Sequence, residues 1–125
     1  MRIFLVENHP DTLRCLQRHL LRTGYEVGTA RTYAEALRDL SANPYDLLLT
    51  DLGLPDGDGW TLLEQLGDAR PPLAIAMSGR NSPADHARSR EVGFQHHLAK
   101  PFLPDDLDQV LRTVLEEKDK GGAER

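Results

Sequence analysis

Residues Leu47–Gly59 read LLLTDLGLPDGDG, an apolar run that ends in a carboxylate and a glycine-rich loop. Consecutive leucines are typical of a strand buried on both faces, as in a parallel sheet covered by helices. The loop contains three glycines and Pro55 after the carboxylate, and it cannot continue that strand. Asp51 is therefore predicted to lie at the carboxyl end of a central strand, the edge where open α/β sheets bind ligands.

Outward from this stretch, short apolar runs alternate with segments whose apolar residues recur at helical spacing. Strands are predicted at residues 3–6, 25–30, 47–50, 73–77 and within 94–99, each followed by a helix. The second run is less apolar than the others, which favours a position near the sheet edge. The fourth helix, which Ser82-Pro83 begins, has only two alanines and Val92 as its apolar face, so it is predicted to be loosely held. The alternation predicts an α/β fold with a five-stranded parallel sheet and helices on both faces.

Length, charge and cysteine content exclude several classes of protein. A chain of 125 residues is one domain of ordinary size, predicted over residues 1–118, with a charged, flexible C-terminal tail at 119–125. A net charge of −5 argues against a nucleic-acid partner. The single cysteine, Cys15, excludes an internal disulfide and indicates a reducing compartment. No apolar run approaches the ~18 residues of a membrane span, and we expect a cytoplasmic location.

Polar side chains stand where four of the predicted strands end. Short connections after parallel strands bring those ends to one edge of the sheet. The residues expected to meet there are Glu7, Asn8, Asp51, Ser78 and Lys100. Asp51 alone is as readily a turn former, because aspartate favours turns and helix caps. The combination of an acidic pair, a hydroxyl and a lysine at one edge is what indicates a site.

Four separated motifs carry a resemblance to a known family. They are VENHPD at residues 6–11, TDLGLP at 50–55, AMSG at 76–79 and LAKPF at 98–102. Together they resemble the receiver domain of the response-regulator family in two-component phosphorelays, over about residues 2–118. The resemblance implies the flavodoxin-like (βα)5 fold with strand order 2-1-3-4-5. It also implies a cis peptide bond between Lys100 and Pro101.

The resemblance assigns a role to each residue at the sheet edge. Asp51 matches the phosphoacceptor, Lys100 the lysine that contacts the phosphoryl group, and Ser78 the switch hydroxyl that senses it. Glu7, Asn8 and the backbone carbonyl of Gly53 match the positions that hold Mg²⁺ together with Asp51. No other cofactor is implied, and the chain is expected to be a phosphoryl-accepting regulatory domain, at most catalysing its own phosphotransfer and dephosphorylation.

The implied partners are proteins on both sides of a signal. The phosphoryl donor would be a sensor histidine kinase or a phosphotransfer protein. The output would pass to a downstream protein target through the face formed by the fourth helix, the fifth strand and the fifth helix, a face that also suits a homodimer. The chain is expected to be a stand-alone regulator or a receiver from a larger hybrid kinase or regulator.

Two residues depart from the family pattern. Asn8 stands where the family usually has a second acid, which leaves two carboxylates and predicts weaker Mg²⁺ binding. Asn8 or His9 is also a candidate cap for the first helix. His97 stands where the family usually has a switch Tyr or Phe, and histidine titrates near neutral pH. These departures motivate an alternative, a phosphorylation-independent interaction module. A flavin or nucleotide enzyme is disfavoured, because residues 7–10 lack the glycines that cradle phosphate.

Overall fold

The structure, a computed structural model, describes residues 1–123 as alternating strands and helices. The strands are β1 Arg2–Val6, β2 Glu26–Ala30, β3 Leu47–Asp51, β4 Leu73–Ser78 and β5 His96–Ala99. The helices are α1 Pro10–Thr23, α2 Tyr33–Ala42, α3 Gly59–Leu66, α4 Pro83–Val92 and α5 Pro104–Ala123. The predicted alternation is confirmed, and each predicted strand lies within a residue or two of its observed bounds.

The five strands form one parallel sheet in the order β2-β1-β3-β4-β5. This is the predicted order, and β2 lies at an edge as its lower apolar content indicated. In the register, Val6 pairs with Thr50 and Thr50 pairs with Ala76. All strands therefore end at one edge, and the segments that follow them meet there.

The leucine run of β3 divides its side chains between two cores. Leu47 and Leu49 pack with residues of α1 and α5, and Leu48 packs on the opposite side with residues of α2 and α3. Successive side chains of a strand point to opposite faces, so a strand covered on both sides needs apolar residues at every position. All three leucines are fully buried, which fixes β3 at the centre of the domain.

Helix α4 has little apolar contact with the domain. Its first turn is closed by a capping box between Ser82 and Asp85, and its one buried residue is polar, Ser89. The predicted poor apolar face is confirmed, since Val92 is only partly buried against the core. Polar contacts therefore have an unusually large share in positioning this helix.

The loop after β3 contains a feature that the sequence patterns did not predict. Gly53–Leu54 pairs antiparallel with Gly57–Asp58 in a two-stranded ribbon. The Asp56 carboxylate beside it accepts hydrogen bonds from the backbone N–H groups of Tyr33, at 2.7 Å, and Ala34, at 3.0 Å. The loop is thereby tied to the first turn of α2, where unpaired N–H groups favour an anion.

Helix α5 is 20 residues long and continues past the predicted domain boundary at residue 118. Of the predicted tail at 119–125, the backbone is described as helix up to Ala123, the side chains are not described, and residues 124–125 lie outside the described part of the chain. Within residues 1–123, no helix is both long enough and apolar enough to cross a membrane.

We predict that Gly59→Ala destabilises the domain, whereas Gly53→Ala does not. A β-carbon at Gly59 would lie 2.9 Å from the backbone oxygen of Asp51 and 3.0 Å from Cδ2 of Leu52, while one at Gly53 meets nothing within 4 Å. Because the backbone oxygen of a central strand cannot move away easily, we expect a loss of about 1–3 kcal/mol for the first change and within about 0.5 kcal/mol for the second. Urea unfolding of both variants measures the difference. Equal stability of the two would contradict the close packing of this loop on β3.

Candidate functional site

One ammonium group joins the ends of three strands. Lys100 Nζ donates a hydrogen bond to Glu7 Oε1 at 2.6 Å and another to Asp51 Oδ2 at 2.9 Å. Glu7 follows β1, Asp51 ends β3, and Lys100 follows β5. The predicted convergence at the sheet edge therefore exists for these three residues, although they are up to 93 positions apart in sequence.

The Glu7 carboxylate is buried, with 2% of the residue exposed. Its second oxygen, Oε2, accepts a hydrogen bond from the backbone N–H of His9 at 3.1 Å. The side chain is thus held by the first turn of α1 on one side and by Lys100 on the other. A buried carboxylate needs such partners, because an unpaired one is strongly disfavoured.

Asn8 is exposed beside this pair. The side chain that caps α1 is His9, whose Nδ1 accepts from the backbone N–H of Thr12, so Asn8 does not act as the cap. The backbone carbonyl of Asn8 accepts a hydrogen bond from Nε of Arg31 at 3.3 Å. Neither contact involves the side-chain amide of Asn8, so its side-chain oxygen is available to a ligand.

The charges of the pocket do not cancel. Burial raises the pKa of Asp51; the hydrogen bond and charge of Lys100 lower it again in part, and the Glu7 charge adds to the increase. Burial lowers the pKa of Lys100, but hydrogen bonds to Glu7 and Asp51 outweigh it, and the net pKa is raised. Two carboxylates and one ammonium, −2 + 1, leave a net charge of −1 when all three are ionised. The pocket therefore has an excess of negative charge near Asp51.

This donor set fits a divalent cation of the oxygen-binding kind, such as Mg²⁺. The available oxygens are those of two carboxylates, the exposed Asn8 amide and the backbone carbonyl of Gly53, whose N–H donates to Asp51 Oδ1 at 3.3 Å. In the described chain, residues 1–123, no group of three or more His, Cys, Asp or Glu side chains is placed to hold a metal ion. A cation here would depend on two carboxylates and on neutral oxygens.

Ser78 ends β4, between the strands that carry Asp51 and Lys100, and is 3% exposed. Its Oγ accepts a hydrogen bond from the backbone N–H of Arg80 at 2.8 Å, and its backbone oxygen accepts from the N–H of Lys100 at 2.8 Å. The hydroxyl hydrogen of Ser78 therefore remains free to donate. The Lys100–Pro101 bond is cis, as the resemblance implied.

His97 lies away from this pocket, on the side of β5 that faces α4. Its Nδ1 is 2.9 Å from Ser89 Oγ, its Nε2 is 2.9 Å from the backbone oxygen of Arg80, and its ring stacks on that of His86 with centroids 4.0 Å apart. Sequence reasoning identified His97 but missed Ser89. The available signal was spacing, because His86, Ser89 and Val92 recur every three residues on one face of the helix.

Comparison with known proteins identifies the family. A model of the response regulator receiver domain matches residues 3–112. The chain belongs to the response regulator receiver domain family. Among solved structures, a CheY-like receiver domain protein from Methanospirillum hungatei superposes with a TM-score of 0.88 at 31% identity, covering 96% of this receiver and 97% of that chain. A response regulator from Burkholderia pseudomallei, determined with a phosphorylated aspartic acid, a calcium ion and citrate, has a TM-score of 0.82 at 25% identity, covering 99% and 74%.

Curated relatives include both regulators and a kinase. The transcriptional regulatory protein KdpE of Mycobacterium tuberculosis is 33% identical over 113 residues, which cover 90% of this receiver and 50% of KdpE. The sensor histidine kinase RcsC of Salmonella typhi is 32% identical over 117 residues, which cover 93% of this receiver and 12% of RcsC. The chain thus spans half or less of the length of these relatives.

We predict that Asp51→Asn stabilises the receiver at pH 7 without divalent cations. Because the pKa of Asp51 is raised in the folded state, that state binds a proton more readily than the unfolded chain, and ionised Asp51 opposes folding above its folded pKa. The advantage of the variant should shrink as pH falls through that pKa. Urea unfolding between pH 7 and pH 4 with a chelator measures it.

Asp56→Asn is the matched control and should have the opposite sign. The backbone N–H groups of Ala34 and Tyr33 lower the pKa of Asp56, so its ionised form favours folding at neutral pH, and that contribution is lost as pH falls through the lowered pKa. If both substitutions destabilised the receiver at pH 7, the inference that ionised Asp51 opposes folding would be wrong.

Proposed function

We propose that this receiver accepts a phosphoryl group on Asp51, in a Mg²⁺-dependent reaction, from a sensor histidine kinase or a phosphotransfer protein. The contact that carries the proposal is the one between Lys100 and both carboxylates. It places the ammonium group of Lys100 beside Asp51, whose side chain is 16% exposed, whereas that of Glu7 is only 2% exposed. Membership of the family and the kinase relative RcsC support the same assignment.

The chemistry follows from the positions of three side chains. An oxygen of Asp51 would act as the nucleophile toward phosphorus, forming an acyl phosphate while the bond from phosphorus to the donor breaks. Lys100, already hydrogen-bonded to Asp51, would exchange that contact for one with a phosphoryl oxygen. The free hydroxyl hydrogen of Ser78 would donate to another. Charged hydrogen bonds contribute about 1.5–3 kcal/mol each, so two or more are needed to approach the ~5.5 kcal/mol that reverses a two-state equilibrium.

Glu7, Asp51, the Asn8 amide oxygen and the Gly53 carbonyl would hold the Mg²⁺ ion. Bound there, it would supply the positive charge that offsets repulsion between the incoming phosphoryl group and the acceptor. Because Asn8 is neutral, the ion would be held by one carboxylate fewer than in the usual family pattern. Weaker binding is the expected consequence.

The output would pass through the face of α4, β5 and α5 to a downstream protein target, or to a second copy of the chain. Two observations support this face. Helix α4 has only Ser89 buried, and an element with few buried contacts moves at a lower cost in free energy. The backbone of Arg80, which precedes α4, hydrogen-bonds both to Ser78 and to His97.

We predict that acetyl phosphate with Mg²⁺ adds one phosphoryl group, detected by intact mass. The Asp51→Asn variant and a sample with chelator should show no gain, and Lys100→Ala should show a strongly reduced one. Fluorescence of Trp60 should change with phosphorylation, since α4 contacts this residue. No gain at saturating Mg²⁺, with unchanged Trp60 fluorescence, would favour a phosphorylation-independent interaction module instead.

We also predict that Asn8→Asp tightens Mg²⁺ binding by about tenfold or more. Unit charges ~4 Å apart contribute about 1 kcal/mol even at the dielectric constant of water, and a divalent ion doubles this. Titration of Trp60 fluorescence with Mg²⁺ measures the affinity. Gln65→Glu is the control, because it adds the same charge at an exposed position of α3, outside the proposed metal ligands. Equal affinities of Asn8→Asp and the unaltered receiver would exclude residue 8 from the metal site.

A further inference from the structure

Four groups outside the pocket of Glu7, Asp51 and Lys100 form a continuous line of hydrogen bonds. Trp60 Nε1 donates to Ser89 Oγ at 2.8 Å, and Ser89 Oγ lies 2.9 Å from His97 Nδ1. His97 Nε2 lies 2.9 Å from the backbone oxygen of Arg80. The line connects α3, α4, β5 and the loop that precedes α4.

The two ends of this line fix the direction of every hydrogen bond. The indole N–H of Trp60 can only donate, and the carbonyl of Arg80 can only accept. The carbonyl therefore requires a hydrogen on Nε2 of His97, so a neutral ring has a bare Nδ1. Ser89, which already accepts from Trp60, uses its single hydrogen to donate to that nitrogen. The neutral Nε2–H tautomer is the one neutral form that satisfies all three contacts.

A second proton on His97 would disturb this arrangement. Nδ1 would then carry a hydrogen directed at Ser89 Oγ, and the hydrogen of Ser89 would lose its acceptor in the line. Burial lowers the pKa of His97, and the positive charge that His86 would carry lowers it further; the hydrogen bond to Arg80 and the charge of Asp85 raise it, and His96 lowers it slightly. These groups of α4, β5 and the Arg80 loop together favour the neutral ring.

We propose that Trp60, Ser89 and His97 form a proton-sensitive latch that holds α4 against α3 and β5 and opens when His97 takes up a second proton. The latch can affect the position of α4 because Ser89 is the one buried residue of that helix. It contains no atom of Asp51 and would operate in the unphosphorylated receiver. Nε2 of His97 keeps its hydrogen in both protonation states, so the ring stays bonded to the oxygen of Arg80, whose N–H is bonded to Ser78.

The direct test is nitrogen NMR of the histidine rings in the full chain, recorded from pH 8 to pH 5 in the unaltered protein and in Asp51→Asn. At pH 8, His97 should show a protonated Nε2 and an unprotonated Nδ1. The indole N–H signal of Trp60 should shift with the same midpoint as His97, and that midpoint should lie below the ordinary histidine value of 6.5. A protonated Nδ1 at pH 8, or a Trp60 signal that does not follow His97, would overturn the proposal.

Variants separate the latch from simple burial. Ser89→Ala should raise the His97 midpoint and uncouple the Trp60 signal from it, because the hydrogen donated to Nδ1 is gone. His86→Ala should raise the midpoint but keep the tautomer and the coupling. His19→Gln is the control, because His19 pairs with Asp108 between α1 and α5 at 2.8 Å and should leave His97 and Trp60 unchanged. An unchanged midpoint and coupling in Ser89→Ala would show that burial alone sets the titration. Failure of Asp51 to accept phosphate would leave each of these outcomes intact.

Discussion

The contact of Lys100 with two carboxylates is the constraint to which the rest of the site conforms. It requires β1, β3 and β5 to end at the same level, and the parallel register of the sheet provides this. In the described residues, no buried side-chain nitrogen or oxygen lacks a hydrogen-bond partner, including those of these three residues. A buried ion pair adds little net stability, so the arrangement is better explained by what it offers a ligand than by what it adds to the fold.

Most of the fold and much of the pocket could be predicted because both follow from local patterns. Apolar runs and glycine-containing loops define the strands, and parallel strands bring their ends together without knowledge of any distant contact. The ribbon at Gly53–Asp58 could not be predicted in this way. Its strands are two residues long, too short for a pattern, and its loop is held by the contact of Asp56 with the first turn of α2.

The partners of His97 were also missed, for a different reason: spacing places Ser89 and His86 on one face of α4 but does not show what that face contacts. A serine on a helix is ordinarily solvent-exposed, and only packing shows that Ser89 is turned inward between Trp60 and His97. Helix α4 thus depends on the directional hydrogen bonds of Ser89, its one buried residue, while Val92 packs against the core only partly buried. Apolar burial is insensitive to protonation, whereas the hydrogen bond that Ser89 donates to Nδ1 of His97 exists only while that nitrogen is unprotonated. Because the apolar face of α4 is weak, the hydrogen bonds of Ser89 have a large effect on the position of the helix.

The backbone of Arg80 connects Ser78 to His97. Its N–H donates to Ser78, next to the pocket of Asp51 and Lys100, and its carbonyl lies within hydrogen-bond distance of His97 in the proposed latch. A rearrangement of Ser78 toward a phosphoryl oxygen would remove the acceptor of the Arg80 N–H group. Protonation of His97 would make the donor to the Arg80 carbonyl a charged ring. Coupling between two equilibria that share a structural element acts in both directions with the same free energy. A receiver built in this way would report phosphorylation and proton concentration through the same helix.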